Sequence, residues 1–557
     1  MYLARRRSIA VAVCGLSALL LRLALLPIFP IPLPFVPDDF SFLLAANTFA
    51  SGHLTNPTPA MWTHFETIHI TMRPTYMSMY FPAQGLALAA GKLATGQAWF
   101  GNLFFSSLLC AAICWMLQAW LPPGWALLGG LLAVLRLGLF SYWVNSYFGA
   151  GGIAGVGGAL VLGAFPRIKR SPKFIYFLFM AIGMVLMATS RPYEGILLCI
   201  PVVFALGYWL LHAENTPSYR ELIKIIAIPI LLLVAAGSFM AYYDYRAFGH
   251  PLTPPYAVDR NTYAMAPYFV WQQARPAPVY RHAEMRRFYF DNELDAFSTV
   301  HSKSGFLPYT SLKFFTGLFF FAGLALLTPI FMLRRVLLDQ RTRFLVIGLA
   351  VLMCGMVIEI FMIPHYLAPF TCLFYALGLQ AMRHMRVWQP ASQPVGRTIV
   401  RFTIVTCVLM AGVRLFSDPL KLHILEWPAS SWSAQWFGPE HFGAPRANTQ
   451  ADLEHRPGPQ LVIVRYTPSH NPLDEWVYND PDIDHSKVIW AREMDPANNL
   501  ELIRYYKDRK VWLVQPDLHP TGISPYPIPA QDLSNPAQNG PAIATTAAGL
   551  STSRVNP

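Results

Sequence analysis

The chain has 557 residues, of which 54% are hydrophobic and 13% are charged, and its mean hydropathy is +0.37. Soluble proteins carry roughly a quarter charged residues, so this composition excludes an ordinary soluble globular protein. The net charge of +12 suggests nucleic acid or anionic lipid as a partner, but the basic residues fall in alternate loops between apolar runs. That distribution follows the positive-inside rule of membrane proteins and indicates no nucleic-acid partner.

Apolar runs of about 20 residues recur along the chain, and each is long enough to cross the hydrocarbon core of a bilayer as a helix. We predict an all-α polytopic membrane protein with about eleven transmembrane helices, a cytoplasmic N-terminus and an external C-terminus. The predicted spans are Ser8–Phe29, Trp99–Trp120, Trp125–Val144, Gly149–Phe165, Phe174–Ser190, Tyr193–Leu211, Leu222–Tyr243, Ser311–Leu333, Phe344–Ile363, His365–Met382 and Thr398–Phe416.

The apolar runs and the change of composition after residue 416 divide the chain into three parts. Residues 1–416 form the predicted transmembrane domain, with a first external loop at 30–98 and a second at 244–310. Residues 417–525 are predicted to form a small external α/β domain. The rest, 526–557, is rich in Pro, Ala, Ser and Thr and is predicted to be disordered.

Two apolar runs in the C-terminal part are typical of buried strands. They are Gln460–Tyr466 and Lys510–Gln515, and a helical pattern lies between them around Asn498–Lys507. This alternation of strand and helix predicts the α/β fold.

Two adjacent carboxylates lie near the start of the first external loop. Asp38 and Asp39 follow a proline-rich run that cannot be helical, and they precede a predicted short helix that continues to Ala50 and stops at Gly52. A second short helix is predicted at Pro82–Ala94. Either carboxylate fits a helix N-cap, and either fits a general base that deprotonates an acceptor hydroxyl.

A second motif, Ser190-Arg191-Pro192-Tyr193-Glu194-Gly195, lies at the external junction of two predicted spans. One interpretation is a structural salt bridge between Arg191 and Glu194. The other is that Arg191 binds a lipid phosphate in a bidentate manner, while Tyr193 and Glu194 line the same site. His365 and Tyr366, at another external helix end, fit either an interfacial anchor or contacts to phosphate and sugar.

The first loop also contains Glu66, Arg73, His64 and His69 among aromatic residues, a mixture that suits a sugar site or interfacial packing. The two histidines and Glu66 form a weak metal-binding pattern, so the sequence identifies no metal site but leaves a divalent metal open. The chain contains no P-loop, no dinucleotide fingerprint and no nucleophile elbow. Nucleotide-driven transport and soluble nucleotide-sugar chemistry therefore lack support.

Taken together, a basic N-terminus, one span, an immediate Asp-Asp pair and a long loop with interfacial helices resemble the GT-C membrane glycosyltransferases. The similarity is greatest to the bacterial branch related to dolichyl-phosphate-mannose protein mannosyltransferases. The segment Pro37–Ala46 (PDDFSFLLAA) is the sharpest match, and Pro364–Pro369 (PHYLAP) resembles a late span of that family.

The resemblance implies an enzyme of the bacterial inner membrane. Such an enzyme transfers a hexose or pentose from a polyprenyl-phosphate donor to a hydroxyl of a glycan, lipid or protein acceptor on the periplasmic face, with inversion. It also implies that Asp39 or Asp38 is the general base, with Asp39 favoured, and that Arg191 and His365 hold the donor phosphate, assisted by Arg73. The lipid phosphate would be the leaving group, so no nucleotide site is needed; no cofactor is certain, and a divalent metal is possible. The alternative is a transporter or flippase of lipid-linked substrates, although the chain shows no repeated halves.

Overall fold

Helices form most of the protein up to residue 417. The computed structural model describes residues 2–149, 151–213, 216–417 and 443–527. The predicted disordered tail lies outside the described residues from position 528 onward, as does the 418–442 segment of the predicted C-terminal domain.

The longer helices of the first part follow the apolar runs of the sequence. They are Arg7–Ala24, Pro37–Ala50, Pro82–Thr95, Trp99–Trp120, Pro123–Ala133, Gly151–Arg170, Phe174–Ala188, Pro192–His212, Tyr219–Phe248, Pro255–Tyr263, Glu293–His301, Phe306–Leu327, Leu333–Leu338, Arg343–Ile358, Thr371–Arg386 and Val395–Ser417. Shorter helical segments are Tyr2–Arg5, Trp62–Phe65, Val134–Gly138, Ala283–Arg286, Arg287–Asn292, Thr328–Met332, Pro364–Phe370 and Pro390–Ser392.

Six of the described helices are long and apolar enough to cross a membrane, and a bent pair, Phe306–Gly323 with Thr328–Leu338, makes up to seven. The other predicted spans contain shorter helices, including Pro123–Gly138, Phe174–Ala188 and Arg343–Ile358. The protein is therefore multi-pass, while the count of eleven spans stays a prediction.

The predicted span at His365–Met382 begins differently from an α-helix. Pro364–Phe370 forms a 3₁₀ segment, and a regular α-helix starts only at Thr371. Pro364 and Pro369 lack the backbone N–H that an α-helix needs, which explains the interruption. The buried turn holds His365 and Tyr366 between helices rather than along a helix face.

Three very short antiparallel strands fold the first external loop back on itself. Thr75–Ser78 lies between Asn56–Pro57 and Ile70–Thr71, and Ile70 pairs with Ser78. The backbone N–H of Met79 then donates to the carbonyl of His69 at 3.1 Å. This register brings His69 next to Tyr80.

The predicted α/β fold of the C-terminal part is confirmed. A four-stranded sheet has the order Val488–Arg492, Gln460–Val464, Lys510–Gln515, Gly522–Pro525, and its first three strands are parallel. The helices Ala444–His455 and Pro496–Tyr505 belong to this part. The sequence analysis missed the strand Val488–Arg492, although its five residues (VIWAR) are all buried.

This sheet packs against the helix that carries the Asp-Asp pair. Phe40 stacks on Tyr478 with ring centroids 4.3 Å apart, and Leu44 joins the same apolar cluster as Leu461 and Ile463. Burial of such side chains contributes roughly 1.5–3 kcal/mol each. The C-terminal part therefore helps to fix the position of the Asp-Asp helix.

Candidate functional site

The local sequence explains why the two adjacent carboxylates point in different directions. The helix Pro37–Ala50 begins with proline at its first position, and Val36 is its N-cap residue. Asp38 and Asp39 thus lie inside the first turn, and the prediction that one of them caps the helix is wrong. Successive residues of an α-helix are about 100° apart, so the two side chains enter different surroundings.

Asp39 is enclosed by backbone. Its side chain is 0% exposed, and Oδ1 accepts hydrogen bonds from the N–H groups of Tyr147 at 2.8 Å and Phe148 at 3.1 Å. Oδ2 accepts from the N–H of Phe35 at 3.3 Å. Burial raises the pKa of Asp39 to about 7, although these three N–H groups oppose the rise. Asp39 thereby holds the irregular segment that follows the π-helix Val134–Gly138.

Asp38 is the accessible member of the pair. Its side chain is 21% exposed, its Oδ1 accepts a hydrogen bond from the hydroxyl of Tyr80, and its Oδ2 lies 3.5 Å from Nδ1 of His69. The hydroxyl of Tyr80 has a single proton, and it donates this proton to Asp38. Nδ1 of His69, 3.0 Å from the Tyr80 oxygen, must therefore carry a hydrogen.

His69 is fixed by its backbone as well as by its ring. Its φ of 63° lies in the left-handed region, its carbonyl accepts from Oγ of Ser41 at 2.7 Å, and its N–H donates to the hydroxyl of Tyr289 at 3.3 Å. The Tyr289 hydroxyl in turn donates to Asp259. The sequence analysis considered His69 for a sugar site, for interfacial packing and for metal binding, and it did not find this pairing with Asp38.

Electrostatics favour the charged forms of both Asp38 and His69. Burial alone would raise the pKa of Asp38, but His69 and Tyr80 hold it at about 2. Burial would lower the pKa of His69, but Asp38 and, at longer range, Asp259 raise it above its usual value. Asp38 is consequently ionised at neutral pH, and the neighbouring imidazole of His69 stabilises the carboxylate.

A cavity of about 290 Å³ adjoins this pair, because Tyr80 forms part of its wall. Three arginines, Arg191, Arg260 and Arg275, line it together with two acidic residues, Glu194 and Glu359. Its aromatic and apolar lining consists of Phe42, Tyr80, Phe81, Pro192, Tyr193, Pro254, Tyr256, Ala257, Tyr268 and Phe269. A cationic pocket with an aromatic wall suits a ligand that combines an anion with a ring.

Arg191 lies in the wall of the cavity, near the carboxylates of Glu194 and Glu359. Its guanidinium carbon lies 4.0 Å from the ring centroid of Tyr366, in cation–π geometry. Its Nε is buried, and none of the described residues, Glu194 included, accepts a hydrogen bond from it. Both the ligand-binding role of Arg191 and its structural pairing with Glu194 stay predictions.

Two further arginines of the cavity come from the second external loop and were missed by the sequence analysis. Arg260 is 2% exposed and binds Glu293 through Nη1, at 2.7 Å and 2.8 Å to the two carboxylate oxygens. Arg275 donates to the carbonyl of Arg260 at 2.7 Å. The only sequence signal for them was the enrichment of Arg and Tyr in this loop.

The remaining predicted site residues fall into two groups. Tyr193 lines the cavity and donates to the carbonyl of Gly355 at 3.1 Å, while Tyr366 lies against Arg191. His365 is 3% exposed and its Nδ1 lies 2.9 Å from the hydroxyl of Tyr142, so it packs behind the site. Glu66 and Arg73 are not among the residues that line the cavity.

Glu66 instead joins the first loop to the rest of the external part. Its carboxylate accepts from Tyr263 and Arg281, each at 3.1 Å, and its carbonyl accepts from Nε of Arg492 at 2.6 Å. Arg73 is exposed and lies over the ring of Trp62, at 5.3 Å from its centroid. In the part of the chain that the structure describes, no three His, Cys, Asp or Glu side chains are grouped to hold a metal.

Comparison with known proteins gives structural neighbours only, because no family model and no curated protein matches the sequence. The oligosaccharyltransferase of Archaeoglobus fulgidus in complex with Zn and sulfate aligns with a TM-score of 0.43 and 11% identity, over 91% of this chain and 67% of that chain.

ArnT from Cupriavidus metallidurans also aligns, with a TM-score of 0.46. The apo structure is 14% identical over 90% of this chain and 93% of that one. The structure bound to undecaprenyl phosphate is 12% identical over 91% and 92%.

The contacts of Asp39 predict how stability depends on pH. Its pKa is raised from 3.8 to about 7 in the folded protein, so folding is favoured while the group is protonated, and that stability is lost as pH rises toward 7. The loss is on the order of 3 kcal/mol between pH 5 and 8. In Asp39→Asn the amide oxygen still accepts from two N–H groups, and no ionisation occurs. We expect the melting temperature of the variant to fall less over this range than that of the wild type; parallel pH curves would contradict the assignment.

Proposed function

We propose that the protein is an integral membrane glycosyltransferase that moves a sugar from a polyprenyl-phosphate donor to an acceptor hydroxyl. The observation that supports this most directly is the cavity next to Asp38. An incompletely hydrogen-bonded arginine, Arg191, and a partly exposed, ionised carboxylate lie close to a common aromatic wall, with Tyr80 linking the carboxylate to it.

In this proposal Arg191 binds the donor phosphate. When the bond between the anomeric carbon and the phosphate oxygen breaks, the phosphate leaves with the electron pair, and its negative charge grows. A guanidinium that is already in place stabilises that charge without reorganisation. Arg260 and Arg275 add positive potential around the same volume, although Glu293 neutralises part of the charge of Arg260.

Asp38 is the better placed general base. The acceptor hydroxyl donates its proton to an oxygen of Asp38 as its own oxygen attacks the anomeric carbon, and a single displacement of this kind inverts the configuration. A base must first reach the proton that it removes, and only then does its pKa matter. The pKa of Asp39, about 7, suits a base, but Asp39 is fully buried and bound by three N–H groups. We therefore transfer the role that the resemblance gave to Asp39 to its neighbour.

In this proposal the aromatic wall of the cavity binds the sugar of the donor. Tyr256 and Tyr268 are stacked with centroids 5.0 Å apart, and Phe42 stacks on Tyr80 at 4.3 Å. Flat apolar ring faces of this kind pack against the C–H faces of a hexose or pentose. The acceptor in this proposal is a glycan, lipid or protein hydroxyl on the periplasmic side of a bacterial inner membrane.

The test is product formation in proteoliposomes that contain the purified protein and a polyprenyl-phosphate sugar, radiolabelled in the sugar. A transferase releases free polyprenyl phosphate and moves the label to an added acceptor. A flippase changes the side on which the donor is found but leaves it intact. Movement of intact donor without release of polyprenyl phosphate would contradict the proposal.

His69 is a positioning residue in this scheme, and its removal is expected to change the pH profile. Asparagine tolerates positive φ better than most residues, so His69→Asn preserves the backbone. Without the imidazolium, the pKa of Asp38 rises from about 2, and the loss of activity at low pH moves to higher pH. The measurement is kcat/KM between pH 4 and 8. An unchanged acid limb would show that His69 does not tune Asp38.

A further inference from the structure

A second, larger cavity of about 650 Å³ lies at the other end of the helix Thr371–Arg386 from the His365 turn. The helix has 16 residues and is therefore about 24 Å long. The cavity is thus separated from the Asp38 site by most of the thickness of a bilayer. By the alternation of basic loops it faces the predicted cytoplasmic side.

Positive charge dominates this second cavity. Four arginines line it, namely Arg335, Arg341, Arg383 and Arg386. The single carboxylate among its lining residues, Asp339, is already engaged. It accepts hydrogen bonds from the side chain of Gln380 and from the backbone N–H of Arg341, and it lies 3.1 Å from Nε2 of His384.

Most of the guanidinium charge is consequently available for a ligand. Arg383 donates to Oε1 of Gln380 at 2.7 Å, which orients it at the cavity wall. Arg335, Arg341 and Arg386 are exposed side chains that converge on the same volume from three segments of the chain. Several convergent guanidinium groups match the oxygens of a phosphate group.

The rim of the cavity is apolar and lies at a helix end. Leu338 is 71% exposed and Val387 is 68% exposed, and Trp125 completes the rim at the start of another helix. Trp at a helix end is typical of the membrane–water interface. Exposed apolar side chains beside a basic pocket suit a ligand whose anionic head is attached to acyl chains.

We propose that this cavity binds the phosphate headgroup of an anionic membrane phospholipid, separately from the site at Asp38. A basic pocket between helix ends on the cytoplasmic side is the kind of site that holds such headgroups. The proposal does not depend on the glycosyltransferase assignment, because none of its residues belongs to the first cavity.

The test is native mass spectrometry of the full-length protein in detergent, titrated with phosphatidylglycerol or with phosphatidylcholine of the same acyl chains. The variant Arg335→Gln/Arg341→Gln/Arg386→Gln removes three charges from the cavity. The control Arg220→Gln/Arg397→Gln/Arg401→Gln removes three exposed charges on the same predicted side, outside the cavity. A third arm adds inorganic phosphate as a competitor.

We expect the wild type to prefer phosphatidylglycerol, and the cavity variant to bind it at least ~10-fold more weakly while the control does not. Equal losses in both variants, or no loss in either, would overturn the proposal. Complete displacement of the lipid by inorganic phosphate at an equal concentration would overturn the lipid assignment in favour of a soluble phosphate. If the triple variant fails to fold, as judged by gel filtration, Arg341→Gln alone answers the same question with a smaller expected effect.

Discussion

Asp38→Asn is expected to lower turnover by ~10²-fold or more, the range typical for removal of a general base. The amide keeps the size of the side chain and still accepts the hydrogen bond from Tyr80, but it takes no proton from an acceptor. Donor affinity should change little, because in the proposed binding mode the arginines, and not Asp38, hold the donor phosphate. Turnover and donor affinity are to be measured on the same purified protein, with melting temperature as the check of folding.

Asp39→Asn is the matched control for this experiment. Within the described residues, backbone N–H groups donate the hydrogen bonds to the Asp39 carboxylate, so its variant should lose stability or change its pH dependence rather than lose the chemical step. An active Asp38→Asn together with an inactive, well-folded Asp39→Asn would return the role of base to Asp39. Full activity in both variants would end the general-base hypothesis.

Arg191→Ala is expected to weaken donor binding by at least ~10-fold, because a hydrogen bond to a charged group contributes about 1.5–3 kcal/mol. Arg191→Lys keeps the charge but loses the planar, two-pronged geometry, so its effect should be intermediate. Both substitutions also remove or weaken the cation–π contact with Tyr366. Donor affinity and melting temperature must therefore be measured together.

Glu194→Gln separates binding from structure in this series. If Arg191 serves only a structural bridge with Glu194, all three variants should lower the melting temperature in parallel and leave donor affinity unchanged. If Arg191 binds phosphate, Glu194→Gln should retain donor binding, while the two Arg191 variants lose it. If Arg191→Ala keeps its affinity for the donor, the phosphate site must lie elsewhere. His365 would then be the first residue to test.

Local signals in the sequence predicted local structure well. The helix predicted from Asp38 to Ala50 is observed at Pro37–Ala50, and the one predicted at Pro82–Ala94 is observed at Pro82–Thr95. Proline fixes the start of both, and Gly52 and Gly96 adopt positive φ just beyond their ends. These features depend on neighbours a few residues apart, which a single sequence displays directly.

The composition of the site was predictable only in part, because its contacts join distant segments. The backbone N–H groups of Tyr147 and Phe148, more than 100 residues away in the sequence, donate hydrogen bonds to Asp39. No sequence pattern around these two residues predicts that contact. Asp38 meets His69 through the fold of a loop with very short strands. Arg260 and Arg275 are unremarkable as sequence positions and enter the cavity only through the path of the second external loop.

Arg492 links three segments of the chain that are synthesised at different times. It is 1% exposed, and its guanidinium binds the carbonyl of Glu66 in the first loop, Glu284 in the second, and Glu475 within its own domain. During synthesis both loops emerge long before residue 492 is made. Until residue 492 has been made, the two loops therefore lack this buried cation, which binds both of them. A chain truncated before Arg492 would keep the direct contacts of Glu66 with Tyr263 and Arg281, but it would lack the one guanidinium that binds both loops and the C-terminal part together.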